Sequence, residues 1–451
     1  MLVEGITLEQ ATDDLLTYLM MSSEMAERGG FCCSDETLNC LFDMTRRSDR
    51  SNFVFFPTDC PHREKNGWTA DAALSAEHML LHLDASESLK EWMRGIAKAQ
   101  RADGALPGII PTAGWGFDWG NGPAWDCVCV YLPYYCYKYD GDTQIIKENR
   151  TLIKQYLTYV DGHLDENGLL AIGLGDWCQP DHEERGILAP LVLTDSAMVW
   201  DIARKAAHLF RVVGDADGAA YAQELAQRMR HAIRTHLIDL DTMIAVGECQ
   251  TSQALIVDMD LLDEAEKPKA VEKLVEYIHN QDDHLYCGVI GARHIFHVLA
   301  AYGYVDLALI MITRTDYPAY GMWVAEGATT LAEEFIPSGG EHTSRNHHFW
   351  GDIASLFMQE LAGLRPNPLV RSVREYAIQP RFAENLQHAA AWFLSPFGKV
   401  SVNWHREDEA VVLTVCAPEE ISGVICLSDG YHTTDGAQSW QLSSGTYRLV
   451  R

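Results

Sequence analysis

The stretch Pro57-Thr-Asp59-Cys60-Pro61-His62-Arg63-Glu64-Lys65-Asn66-Gly67-Trp68-Thr-Ala-Asp71 sets the reading of the whole chain. Three carboxylates, Asp59, Glu64 and Asp71, fall within thirteen residues, interleaved with His62, Arg63, Lys65 and Trp68. Pro57 and Pro61 oppose regular structure at the front, because proline fixes φ and lacks a donor. The residue before each is pushed extended as well. The segment is therefore expected to be a rigid loop that enters a helix near Trp68 or Thr69. Acids packed among apolar groups acquire shifted pKa values, which general acid catalysis uses. The plainer alternative is a solvated loop with a local ion pair from Arg63 to Asp59 or Glu64.

Working outward, the spacing predicts helices over about 69–83, 86–101, 125–139, 142–161, 192–213 and 216–237. Helical pairs follow over 248–280 and 290–314, and a last helix over about 348–362, ended by Gly363. Upstream, a helix is expected at roughly 37–47. Another is expected to follow the capping box Thr7-Leu-Glu-Gln10 through about Glu27, buried through Leu15, Leu16, Tyr18, Leu19 and Met20. From about Arg365 the pattern changes. Pro366 and Pro368 mark a linker, and Val400, Val402 and Trp404, like Val411, Leu413 and Val415, alternate with polar residues as half-buried strands do. Two domains are expected, 1–365 helical and 366–451 a small antiparallel β-sandwich. Roughly a dozen helices in series without strands suggest a toroid.

The chain has 451 residues, 47% of them hydrophobic and 22% charged, which is an ordinary globular composition. Its net charge of −29 disfavours nucleic acid and anionic membranes as partners. Twelve cysteines without a C-x-x-C pair argue against a zinc ribbon or a disulfide scaffold. Free thiols in a reducing cytoplasm are expected. The N-terminus lacks the basic and apolar regions of a signal peptide. No apolar run is long enough to span a bilayer.

Asp59-Cys-Pro-His-Arg-Glu64-Lys-x-Gly-Trp68-x-x-Asp71 resembles the signature of the α-L-rhamnosidases, glycoside hydrolase family 78. Twelve of these thirteen positions fit one common version of it. The resemblance implies that Glu64 is the general acid, that Asp59, Arg63 and Asp71 bind the sugar, and that Trp68 packs on it. It extends from about Phe31 onwards and names the fold as mainly α, an (α/α)6 barrel with a C-terminal β-domain. Trp125-Asp126 opens a helix. Asp126 is either a first-turn acid or, by resemblance, a sugar ligand. Trp115, Trp119 and Trp125 offer flat faces to a pyranose or plug the helical core. Gly173-Leu-Gly-Asp176-Trp177 resembles another pocket loop of the family, with Trp177 as a platform and Asp176 alternatively a turn acid.

An inverting glycosidase needs a second carboxylate as base. Gly327-Ala-Thr-Thr-Leu-Ala332-Glu333-Glu334-Phe335 resembles the family's Gly-Ala-Thr-Thr-x-Trp-Glu-x-Trp, which assigns that role to Glu333. Glu334 and Glu326 are alternatives. Ala332 and Phe335 depart from the family's two tryptophans, which puts sugar preference in doubt and is expected to widen the pocket or let another side chain fill it. Ser344-Arg-Asn346-His347-His348 resembles a segment whose histidine, here His347, binds sugar. His342, His347 and His348 also invite a metal reading, but adjacent histidines seldom ligate one metal. No metal or cofactor is expected. The substrate implied is a terminal α-L-rhamnoside; the alternatives are another sugar on the same fold, or a carbohydrate-binding protein without catalysis. Family members usually carry β-domains ahead of the barrel. A face that these would cover is expected to be exposed or used for homo-oligomerisation.

Overall fold

The computed structural model describes residues 4–17, 19, 21–112, 114–117, 121–182, 186–337, 340–341, 343–428 and 430–451. Among these, six helix pairs follow one another. The first members are Glu36–Ser51, Ser86–Ala99, Gln144–Asp161, Ala216–His236, Lys267–His279 and Val305–Thr313. The second members are Thr69–His82, Val128–Asp140, Leu191–Val212, Gln250–Asp258, Val289–Ala301 and Ile353–Leu356, the last continued by a π-turn at Phe357–Leu361.

Burial separates the two sets. Thirteen of the fourteen residues of Thr69–His82 are buried, against five of the fourteen in Ser86–Ala99. A helix apolar on every side belongs inside, and one with a single apolar stripe belongs outside. The six inner helices pack each on the next and close a ring, with Ile353–Leu356 returning to Thr69–His82.

Two sheets follow. One runs in the order Gly29–Cys33, His388–Ser395, Gly398–Glu407, Ala410–Cys416, Gly445–Val450, His432–Thr433. Val400, Val402 and Trp404 point inward from it, as do Val411, Leu413 and Val415, following the two-residue period. The other runs Ser439–Gln441, Ser422–Cys426, Glu375–Ile378, Leu364–Pro366. Trp404 Nε1 donates to the carbonyl of Leu361 at 2.7 Å, which ties the first sheet to the end of the last inner helix. Gly363 takes φ +81°, the left-handed cap expected of it.

Several expectations need correction. The segment after Thr7 forms only a turn at Leu8–Gln10, although the Thr7 N–H does donate to Gln10 Oε1 at 2.9 Å. Leu15, Leu16 and Leu19 are exposed, and Tyr18 and Met20 lie outside the described residues. Without a surface to pack on, local capping does not offset the cost of helix nucleation. The strands are not all antiparallel: Ser422–Cys426 pairs parallel with Glu375–Ile378. Gly29–Cys33, read from sequence with the helices, is an edge strand of the larger sheet. The last helix begins at Ile353, not near 348. Apolar side chains are also left in the open beside the first pair: Phe55 is 82% and Met21 69% exposed. All twelve cysteines are free thiols. No described helix is long and apolar enough to cross a membrane.

Candidate active site

The inner helices begin at one end of the ring, and a cavity of about 190 Å³ opens there. Asp59, Arg63, Glu64, Trp68 and Asp71 line one side. Glu333, His347 and Phe349 line another, with Trp125, Leu174 and Trp177 completing the wall.

The first group is held by its own loop. Asp59 accepts the Asn66 N–H at 2.8 Å and the Cys60 thiol at 2.9 Å, while the Glu64 N–H reaches Cys60 Sγ at 3.2 Å. Gly67 then crosses the 104–112 loop so closely that a Cβ would stand 2.1 Å from the Ile110 carbonyl, so only glycine fits. Beyond it the loop enters the helix at Thr69, which carries Asp71 in its first turn. Trp68 Nε1 donates to Glu64 Oε2 at 2.9 Å. Trp115 packs its ring on Trp68 with centroids 5.9 Å apart.

The second group comes from two irregular segments. The Glu333 N–H donates to the Ser344 carbonyl at 2.9 Å, the His347 N–H to that of Leu331 at 2.8 Å, and Trp350 Nε1 to that of Glu333 at 2.8 Å. Glu333 is therefore not on a helix. This lateral pairing still turns neighbouring side chains apart. Glu334 faces Thr343 and is absent from the cavity wall.

Arg63 joins the two groups. Its Nη2 donates to Glu64 Oε1 at 3.1 Å and to Glu333 Oε2 at 3.0 Å, with Glu333 Oε1 at 3.2 Å. One nitrogen thus lies at hydrogen-bond distance from both carboxylates, whose nearest oxygens can be no further apart than two hydrogen bonds laid end to end. His347 Nε2 stands 3.9 Å from Glu333 Oε1 and 4.0 Å from Asp59 Oδ2.

Burial sets the protonation of the wall. It pushes the Asp71 carboxyl well above the usual range, reinforced by the charges of Asp59 and Glu333. Asp71 Oδ1 has no hydrogen-bond partner. Burial raises Asp59 too, and raises Glu333, whose neighbours Glu334 and Glu64 add to the effect while Arg63 opposes it. Burial drives the His347 imidazolium well below its ordinary pKa, so the ring is neutral near pH 7.

A carboxyl raised on folding favours the folded state below its unfolded pKa of about 4 and costs stability progressively as pH rises above it. Asp71→Asn is therefore expected to unfold at a higher temperature than wild type at neutral pH. The difference should vanish as pH falls towards about 4, checked by thermal melts across that range.

For two other acids the sequence left alternatives open. Asp126 is fully buried, accepts the Gly122 N–H at 3.0 Å and is absent from the cavity wall; Trp125 lines it instead. The acid closes its own turn. Asp176 accepts the N–H groups of Gly288, Ile290 and Gly291 and the Thr251 hydroxyl, capping the start of Val289–Ala301. That arrangement holds Trp177 at the rim. The departures from the family's tryptophans fall outside the cavity. Phe335 stacks on Trp323 at 4.4 Å, and Ala332 lines a separate hollow of about 220 Å³ with Trp323, Glu326 and Arg345. Leu174 and Phe349 were not singled out from sequence, since an apolar residue in an irregular segment carries no distinguishing signal. Trp119 and His342 lie outside the described residues. Among the described residues no group of three His, Cys, Asp or Glu side chains is arranged to hold a metal ion.

With this geometry in hand, comparison with known proteins is direct. The sequence model described as the bacterial alpha-L-rhamnosidase 6 hairpin glycosidase domain matches residues 26–361. The chain belongs to this family. The model of the bacterial alpha-L-rhamnosidase C-terminal domain matches residues 363–439. An alpha-L-rhamnosidase of Streptomyces avermitilis is 29% identical over 92% of the chain and 41% of its own length. One from Formosa agariphila is 26% identical over 94% of the chain and 46% of its own. The chain thus spans less than half the length of these curated alpha-L-rhamnosidases. Among solved structures, the Streptomyces avermitilis alpha-L-rhamnosidase complexed with L-rhamnose superposes with a TM-score of 0.86 at 27% identity, over 95% of this chain and 42% of that one. The alpha-L-rhamnosidase from Dictyoglumus thermophilum gives 0.85 at 25% identity, over 95% and 51%.

Proposed function

We propose that this chain hydrolyses terminal α-L-rhamnosides with inversion. Glu64 gives its proton to the glycosidic oxygen as the bond to the anomeric carbon breaks. Glu333 takes a proton from the water that attacks that carbon from the opposite face, and the products are the free sugar and the alcohol. The observation that carries this reading is the Arg63 bridge, a nitrogen at hydrogen-bond distance from both carboxylates across one cavity. The bridge brings both acids to one cavity; the inverting course rests on the resemblance of the Glu333 segment to the family segment whose Glu activates water.

Asp59, Arg63, Asp71 and neutral His347 supply donors and acceptors for sugar hydroxyls. Trp68, Trp125 and Trp177 offer faces to the ring. The cavity of about 190 Å³ lies below the roughly 300–1,000 Å³ of drug-sized pockets and suits a single sugar. The solved relative bound to L-rhamnose supports that choice of sugar. Ala332 and Phe335, the departures that could have shifted specificity, lie outside the cavity wall formed by the described residues. The free thiols support a reducing, cytoplasmic location.

A panel of 4-nitrophenyl glycosides tests the assignment. Release from the α-L-rhamnoside should exceed that from every other sugar. Faster release from a different glycoside, or binding of L-rhamnose without any hydrolysis, would contradict it.

A further inference from the structure

Behind the cavity lie four titratable groups that acid–base chemistry leaves unused. Asp49, His78, His82 and His348 are each wholly buried. Asp49 Oδ1 is hydrogen-bonded to His78 Nε2 at 3.2 Å, while His348 Nδ1, 3.5 Å from Oδ1, and His82 Nε2, 2.6 Å from Oδ2, face it as charge contacts without hydrogen-bond geometry. His348 Nε2, on the far side of its ring, donates to the Thr58 carbonyl at 3.0 Å. Thr58 precedes Asp59 in the acid-bearing loop, and His348 follows His347.

The same stretch of backbone around Asp49 holds both halves of the site. The Leu331 N–H donates to Ser48 Oγ at 3.0 Å. The Thr58 N–H donates to the Asn52 carbonyl at 2.7 Å, and Asn52 Nδ2 donates to Asn346 Oδ1 at 3.0 Å. The end of the helix Glu36–Ser51 is thus bonded to the segment carrying Glu64 and to both segments that fix Glu333 and His347.

We infer that Asp49 is a positioning residue: through His348 it locks the Thr58–Glu64 loop against the Leu331–His348 segments and so sets the spacing between Glu64 and Glu333. Burial opposes a charge on Asp49, yet its contacts with His78, His348 and His82 hold its carboxyl well below the usual range. Burial lowers His82, and Arg46 on the helix of Asp49 acts in the same direction. The packed elements thus present three histidines to this carboxylate, and Arg46 of its own helix acts on His82. The kinetic arm of the test rests on the hydrolytic reading above; the exchange arm does not.

Asp49→Asn keeps shape and removes charge. It should lower kcat on an aryl rhamnoside by about ten- to a hundredfold, the cost of a small misplacement, with KM within about threefold of wild type. Its kcat–pH profile should shift. Hydrogen exchange should quicken together at the amides of Thr58, Leu331 and His347, more than in the rest of the ring. His348→Gln, whose amide can still donate to Thr58, should retain more activity than His348→Ala. A folded Asp49→Asn variant with wild-type kcat and unaltered exchange at those amides overturns the inference. So does exchange that rises evenly over the whole barrel while the folded fraction keeps its kcat, which marks a purely structural role. Should Asp49→Asn fail to fold, the His348 pair decides: equal losses in Gln and Ala reject the inference, and retention in Gln supports it. A wild type that turns over no rhamnoside defeats the hydrolytic reading, and the exchange result then decides this one alone.

Discussion

Glu64→Gln is expected to lower kcat on an unactivated α-L-rhamnoside by about 10²- to 10⁴-fold, the range associated with losing a positioned general acid. The substitution is close to isosteric. The side chain keeps an oxygen for either Trp68 Nε1 or Arg63, which hold the two carboxylate oxygens at 2.9 and 3.1 Å. Substrate affinity should change little, because Asp59, Asp71 and His347 are untouched. The diagnostic feature is the leaving group. An aglycone as acidic as 2,4-dinitrophenol departs without a proton, so its turnover should fall far less than that of an alkyl rhamnoside. Equal losses on both would assign Glu64 to something other than proton donation.

Glu333→Ala is expected to cost at least as much, and with the opposite pattern. A base acts on the water, so an activated leaving group gives no relief. The loss has a second source in Arg63, which is shared between the two carboxylates in the native site and is left with Glu64 alone. Azide needs no deprotonation, and the vacated carboxylate leaves room for it. Adding azide should restore turnover and yield β-rhamnosyl azide, whereas water-limited hydrolysis remains slow. An α-configured azide would instead require two successive displacements, with a group other than Glu333 as the nucleophile, and would remove Glu333 from the role of base. Without azide, a fall in kcat of about 10²-fold or more is the expected reading, and near-native turnover would remove Glu333 from the mechanism.

Much of the site was legible because its first half is local. Asp59, Glu64, Trp68 and Asp71 lie within one loop and the first turn of one helix, so their order along the chain nearly dictates their meeting. Glu333 was legible by its likeness to a family segment. The Arg63 bridge was not, since it pairs residues 270 positions apart and Arg63 had two acids nearer in sequence. Asp126 was left open for a related reason: an acid in a helix's first turn looks the same in sequence whether it faces a cavity or closes its own turn. In the fold, the inner and outer helices were legible from their apolar patterns. The strand Gly29–Cys33 was not, because its partner, His388–Ser395, lies at the far end of the chain and so short a strand carries little periodicity. The exposed leucines near the N-terminus show the limit of a capping signal, which marks where a helix can start and not whether anything will bury it.

The stereochemistry of the first product tests the central claim most directly. Proton NMR during hydrolysis of an aryl α-L-rhamnoside, read before mutarotation, should show β-L-rhamnose appearing first, as required when Glu64 and Glu333 act on opposite faces of the sugar with a water between them. Initial release of α-L-rhamnose would contradict that account.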